Sequence, residues 1–196
     1  ALATAPAATT LNPEELRKLF EPLGTDVYAK TTPLIERIQE ENKQRIARID
    51  QLLKNIDSGD VTRGQKVFHS AKAACTVCHR IAYLGGRVGP DLTRIGQIRT
   101  ERDLLEAVLF PSASFVQSFE PVSVITTEGQ IYSGVVRDDN GHTIVLQLDA
   151  QKQMRLLHSE IDEQRASPTS IMPAGLDKHL SDQQLIDLIK FLKASQ

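Results

Sequence analysis

The apolar positions of this chain change their period twice. Helical spacing holds to about residue 110, two-residue alternation runs from about residue 121 to about residue 166, and helical spacing returns near the end. Asn12-Pro13-Glu14-Glu15 has the order of a helix start, with Asn at the N-cap, Pro at the first helical position and acids in the first turn. It predicts a helix to about Phe20 that stops near Pro22-Leu23-Gly24. A longer helix is predicted from Thr32 to Ile56, with Thr32 as cap and Pro33 at N1. Its apolar positions are Leu34, Ile35, Ile38, Ile46, Ile49, Leu52, Leu53 and Ile56, and the QEENKQR between Ile38 and Ile46 is polar all round. Such a helix either packs its ends on its own domain or pairs with a second copy to make a homodimer. Residues 1–12, rich in Ala and Thr, read as a flexible tail or linker.

From Ser58 the composition shifts. A short helix over Asp60–Phe68 puts Gly64 and Phe68 on one face. Thr100-Glu101-Arg102-Asp103 caps a helix that runs through Phe110 to Pro111, with Leu104, Leu105, Val108 and Leu109 buried. Ser181-Asp182-Gln183-Gln184 is a capping box that opens a last helix with Leu185, Leu188, Ile189 and Leu192 on one face. Between them lie strand patterns over 121–127, 130–137, 143–148 and 154–157, and an edge strand reaching Ala166, separated by turn signals at Glu128-Gly129 and Asp138-Asp139-Asn140-Gly141. Strands this short do not stay flat and stable alone, so a small, strongly bent antiparallel barrel of SH3-like or Sm-like type is expected. The fold class is therefore mainly α with a β insert.

The chemistry concentrates in Cys75-Thr76-Val77-Cys78-His79, the attachment signature of a covalent c-type haem. Each thiol can add to a vinyl group on one porphyrin edge, and His79 then serves as the proximal iron ligand. A thioredoxin-like pair would need a βαβ context that is not visible, and a closed zinc site would need further ligands. The chain has no other cysteine, and His69, His142, His158 and His179 are scattered. A disulfide between the two cysteines would leave His79 unexplained. Aromatic residues make up 5% of the chain and Trp is absent, so a haem would supply apolar surface that the side chains lack. The net charge of −2 does not imply a nucleic-acid partner, and no apolar run reaches membrane-spanning length. The opening ALATAPAATT is not a secretory signal. Because haem c is attached outside the cytoplasm, a periplasmic or other extracytoplasmic location is expected, with a signal or larger upstream part removed.

GDVTRGQKVFHS, AKAACTVCHRI and GGRVGPDLTRIG together resemble a class I monohaem cytochrome c, most closely the haem-binding domain at the C-terminus of large dehydrogenase-like proteins of planctomycetes and verrucomicrobia. The resemblance covers about residues 58–196. It implies a class I cytochrome c domain made of 58–112 plus 168–196, interrupted by the barrel at 113–167 and preceded by a tail and helices over 1–57. It implies that the Pro90 carbonyl accepts a hydrogen bond from His79, and that Met172, followed by Pro173, is the distal iron ligand, with the four other histidines as rivals. Phe68, Val88, Leu92, Ile95, Ile98 and Leu105 are the expected apolar haem contacts, and Arg94 the expected propionate partner. It implies that the helices carrying Gly64/Phe68 and Leu185–Leu192 cross. The implied function is one-electron transfer, not enzymatic catalysis, to or from a fused or associated dehydrogenase or a respiratory partner. A haem enzyme or gas sensor with an open sixth site is the alternative. A third reading makes the β segment the binding module; its four basic and eight acidic residues argue against RNA.

Overall fold

The computed structural model of this chain describes residues 13–195, so the expected tail and the Asn12 cap lie outside it. The chain divides into two compact units, Ala1–Gln51 and Leu52–Gln196. In the first, α1 (Pro13–Phe20) is followed by a 3-10 turn, and α2 (Thr25–Lys54) begins seven residues before the expected Thr32 cap. Pro33 is inside α2 and does not start it. A proline there removes one helical N–H and crowds the carbonyl four residues back. In the turn before it, the hydroxyls of Thr31 and Thr32 donate to the Tyr28 carbonyl, at 2.8 and 3.1 Å. Leu16, Leu34, Ile35 and Ile38 form the buried cluster, with Phe20 and Tyr28 packed against it. None of residues 39–48 is buried, as the QEENKQR run requires.

The second unit surrounds α7 (Asp182–Ala194), which is packed against α3 (Val61–Phe68), α5 (Ile95–Ile98) and α6 (Glu101–Leu109). The expected caps are in place. Thr100 and Asp103 form a capping box on α6, and Ser181 and Gln184 form one on α7. The α3–α7 crossing is also as expected: a Cβ added at Gly64 would lie 1.9 Å from the Asp187 carbonyl oxygen. Only a residue without a side chain permits backbones this close.

One α7 residue escaped the periodicity. Asp187 sits on the buried face among leucines and is 2% exposed. Arg63 of α3 donates to it twice at 2.7 Å, the Asp60 N–H at 2.8 Å and Gln183 at 3.0 Å. Burial pushes the carboxyl up, but these donors outweigh it and hold it below the ordinary carboxylate range. Removing Asp187 orphans those donors. Asp187→Ala is expected to cost about 2 kcal/mol at pH 7, read as a lower urea midpoint. Because the native pKa is depressed, the contribution is present above the unfolded carboxylate value of about 4 and disappears as pH falls through the native one. The gap between the variant and the native chain should therefore narrow in acid; a gap of constant size down to about pH 3 would contradict the assignment.

The β segment holds β3 (Pro121–Thr126), β4 (Ile131–Asp139), β5 (Thr143–Gln147), β6 (Gln153–Leu157) and β7 (Ile161–Ala166), all near their expected positions. They form one five-stranded antiparallel sheet in the order β6-β5-β4-β3-β7. The closed barrel is not formed. After β6, a 3-10 turn at His158–Glu160 carries β7 across to pair with β3, so β6 and β7 are opposite, unpaired edges. Bulges between Ile125 and Thr126 and between Val136 and Asp138 bend the sheet without closing it. Val124, Ile144, Leu146 and Leu156 form its core, with Met154 packed against them. Val145 and Gln147 are buried as well, so both faces of β5 are covered where the alternation implied one. A two-residue hairpin, β1 (Arg80–Ile81) with β2 (Leu84–Gly85), follows the cysteine motif.

Candidate functional site

Six residues after α3 ends, Ala74 adopts the left-handed region (φ +53°) and starts α4, the single turn Cys75–Cys78. Three-residue spacing on one helical turn puts both thiols on the same side. The His79 N–H closes that turn on the Cys75 carbonyl at 2.9 Å, while His79 itself is extended (φ −106°, ψ 139°). The chain then folds back over the motif. The Gly86 N–H donates to the Thr76 carbonyl at 2.8 Å, the Gly89 N–H to the Cys78 carbonyl at 2.9 Å, and the Leu92 N–H to the Arg80 carbonyl at 2.8 Å. Asp91 locks the return, accepting from Arg80 and from the Thr93 hydroxyl and N–H. Those bonds, Thr93's first, hold its carboxyl well below the ordinary range.

The return brings the Pro90 carbonyl 2.9 Å from Nδ1 of His79. A carbonyl only accepts, so Nδ1 carries the proton and the lone pair is on Nε2. Burial lowers the His79 pKa, with the Pro90 bond opposing it, which favours the neutral ring. Both cysteines are free thiols. Burial raises Cys75 to about 11. Cys78 is raised too, first by burial and then by the field of Asp149 in the β5–β6 turn.

These groups open on a cavity of about 220 Å³. Of the residues expected around the cofactor, Phe68, Cys75, Cys78, His79, Val88, Pro90, Leu92, Ile95 and Met172 line it. Met172 is held by its N–H on the Ser170 hydroxyl at 3.1 Å, and the Ser170 N–H is held by the Ser112 hydroxyl at 3.0 Å. Leu188 and Leu192 of α7 complete the floor. Four expected contacts are not among the lining residues. Ile98 is 70% exposed, and Leu105 is fully buried, with its neighbours Leu104 and Val108 at the wall instead. Arg94 caps α5, and the arginine at the cavity wall is Arg99. Pro173 follows Met172 without lining the wall. None of His69, His142, His158 or His179 lines it.

The sequence reading missed the segment between α6 and β3. Pro111, Phe115, Val116 and Phe119 form part of the wall. A signal was available: three of the chain's six phenylalanines fall within 110–119, a stretch without helical or strand periodicity. Apolar rings on irregular backbone need a surface to cover. Arg137 on β4 was also missed. Among the described residues, no group of three or more His, Cys, Asp or Glu side chains gathers as a metal cage, and no helix is long and apolar enough to cross a membrane.

The donor set suits a covalent haem: two thiols on one helical turn, an imidazole with Nε2 unprotonated, a thioether in the same cavity, and otherwise mostly apolar walls. Comparison with protein-family models finds no match, and a search of curated proteins finds no matching relative.

Proposed function

We propose that the chain is a one-electron carrier with a single covalent haem c, and that the second unit is a class I cytochrome domain interrupted by the open sheet. The observation that carries this is the convergence of Cys75, Cys78, His79 and Met172 on one largely apolar cavity. Cys75 and Cys78 would hold the group covalently. His79 through Nε2 and Met172 through its sulfur would hold the iron, and the group would supply one-electron redox chemistry when bound.

The chain's own part is to fix ligands and exclude water. The Pro90 carbonyl keeps the His79 ring in one tautomer and orientation and raises its donor strength. Phe68, Leu104, Val108, Leu188 and Leu192 make the surroundings apolar, which disfavours the more highly charged oxidised state. Arg99 at the wall is placed to pair with a propionate. Residues 58–112 carry eight basic and five acidic side chains, a mildly basic rim that suits an acidic redox partner such as a dehydrogenase or respiratory protein. Covalent haem attachment makes this an extracytoplasmic protein.

The visible spectrum of the oxidised and reduced chain, with and without carbon monoxide, tests the proposal. A low-spin c-type spectrum indifferent to carbon monoxide is expected, with no titratable thiol in denaturant. Ready carbon monoxide binding would instead indicate an open sixth site and an enzyme or gas sensor. Met172→Ala is expected to lower the midpoint potential by on the order of 0.1 V, within the roughly 0.8 V that axial ligation spans. An unchanged potential would remove Met172 from the iron.

A further inference from the structure

We infer that Arg137, on the inserted sheet, is a positioning residue for His79, so that the sheet is a working part of the site; this rests on the reading of His79 as the haem ligand. The β4–β5 register places Val136 opposite Leu146 and Asp138 opposite Val145, which leaves Arg137 as the unpaired, bulged residue. A bulge re-aims the side chain it carries. Here the Arg137 guanidinium donates through Nη2 to the Arg87 carbonyl at 3.0 Å and to the Val88 carbonyl. It also lies over the Phe119 ring, 5.2 Å from the centroid. Val88 and Phe119 both line the cavity.

From Val88 the connection to the imidazole is covalent and short. Gly89 follows, its N–H bonded to the Cys78 carbonyl, and then Pro90, whose carbonyl holds Nδ1 of His79. The loop over 86–90 is irregular backbone, so its position depends on such tethers. One side chain fixes two successive carbonyls through a single nitrogen and lays its planar guanidinium on an aromatic wall, and a lysine has no planar group to lay there. The insert thereby sets how firmly the Pro90 carbonyl meets His79.

Hydrogen exchange followed by NMR on the full chain tests this. In Arg137→Leu, the His79 Nδ1–H and the Gly89 amide should exchange at least tenfold faster, while the Leu188 amide of α7 stays unchanged. Arg137→Lys, which keeps the charge but not the planar guanidinium over Phe119, should recover only part of the protection, and it carries the test alone if the leucine variant does not fold. In haem-loaded protein, the weakened Pro90 bond should shift the midpoint potential upward, because a less basic imidazole stabilises Fe(III) less. Unmoved exchange at both protons, or equal acceleration at Leu188, overturns the inference. Local acceleration in a chain that carries no haem would uphold the Arg137–His79 coupling and reject the cofactor reading. Unmoved exchange and potential in a haem-loaded chain would do the reverse.

Discussion

Gly64→Val is expected to lower stability by about 3 kcal/mol or more, enough to unfold much of the second unit under mild heating. The new Cβ would stand 1.9 Å from the Asp187 carbonyl oxygen and 2.7 Å from Cβ of Phe191, so it meets backbone that has no rotamer to change. The helices cannot slide apart cheaply, because Asp60 and Arg63 of the α3 end are bonded to the Asp187 carboxylate beside the crossing. At roughly 2–4 °C per kcal/mol for a chain of this size, the fall in melting temperature should be on the order of 10 °C. Thermal unfolding followed by circular dichroism reads it. Thr62→Val, exposed on the same helix, should stay within about 0.5 kcal/mol of the native chain. Similar melting of the two variants would mean that the backbones do not approach as described.

Gly89→Ala is the second large effect, and it acts on the site without touching the helix packing. Its Cβ would lie 2.5 Å from Cε1, 2.8 Å from Nδ1 and 3.0 Å from Nε2 of His79. The Gly89 backbone lies outside the left-handed region, so alanine adds the contact and no conformational strain of its own. The ring is half-buried and held by Pro90, and the loop is held by the Cys78 carbonyl. One of them has to yield, at a cost of about 1 kcal/mol or more for the lost hydrogen bond. The protected Nδ1–H resonance of His79 should disappear, and in haem-loaded protein part of the low-spin spectrum should convert to high spin. A variant that keeps both would show that Gly89 does not seat the ring.

Local sequence determined much of this protein because much of it is set by local chemistry. The capping boxes at Thr100 and Ser181, the apolar faces of α6 and α7, and the hairpin turns at Glu128-Gly129 and Asp138–Gly141 need only neighbours within a few residues to act. The cysteine–histidine motif was legible as a contiguous run, whereas the bond between His79 and the Pro90 carbonyl, eleven positions on, was expected only from the family resemblance. Pro33 was misread as a helix start because the proline signal is two-valued, and nothing nearby says whether a helix already precedes it.

Tertiary structure decided what depends on residues far apart. The sheet stays open because β7 pairs with β3 and not with β6, a choice between edges that strand propensity does not contain. The buried Asp187 reads as a misplaced charge until Arg63, 124 positions away, is seen to pair with it. Arg99 takes the place expected for Arg94 at the cavity because the two cap opposite ends of α5, Arg94 the N-terminus and Arg99 the C-terminus, and of the two caps the C-terminal one is at the wall. Arg137 counts as one surface cation among several until a bulge aims it at the loop that holds His79, fifty residues earlier in the chain. In each case the burial or pairing energy that settles the outcome exists only once the two partners have been brought together.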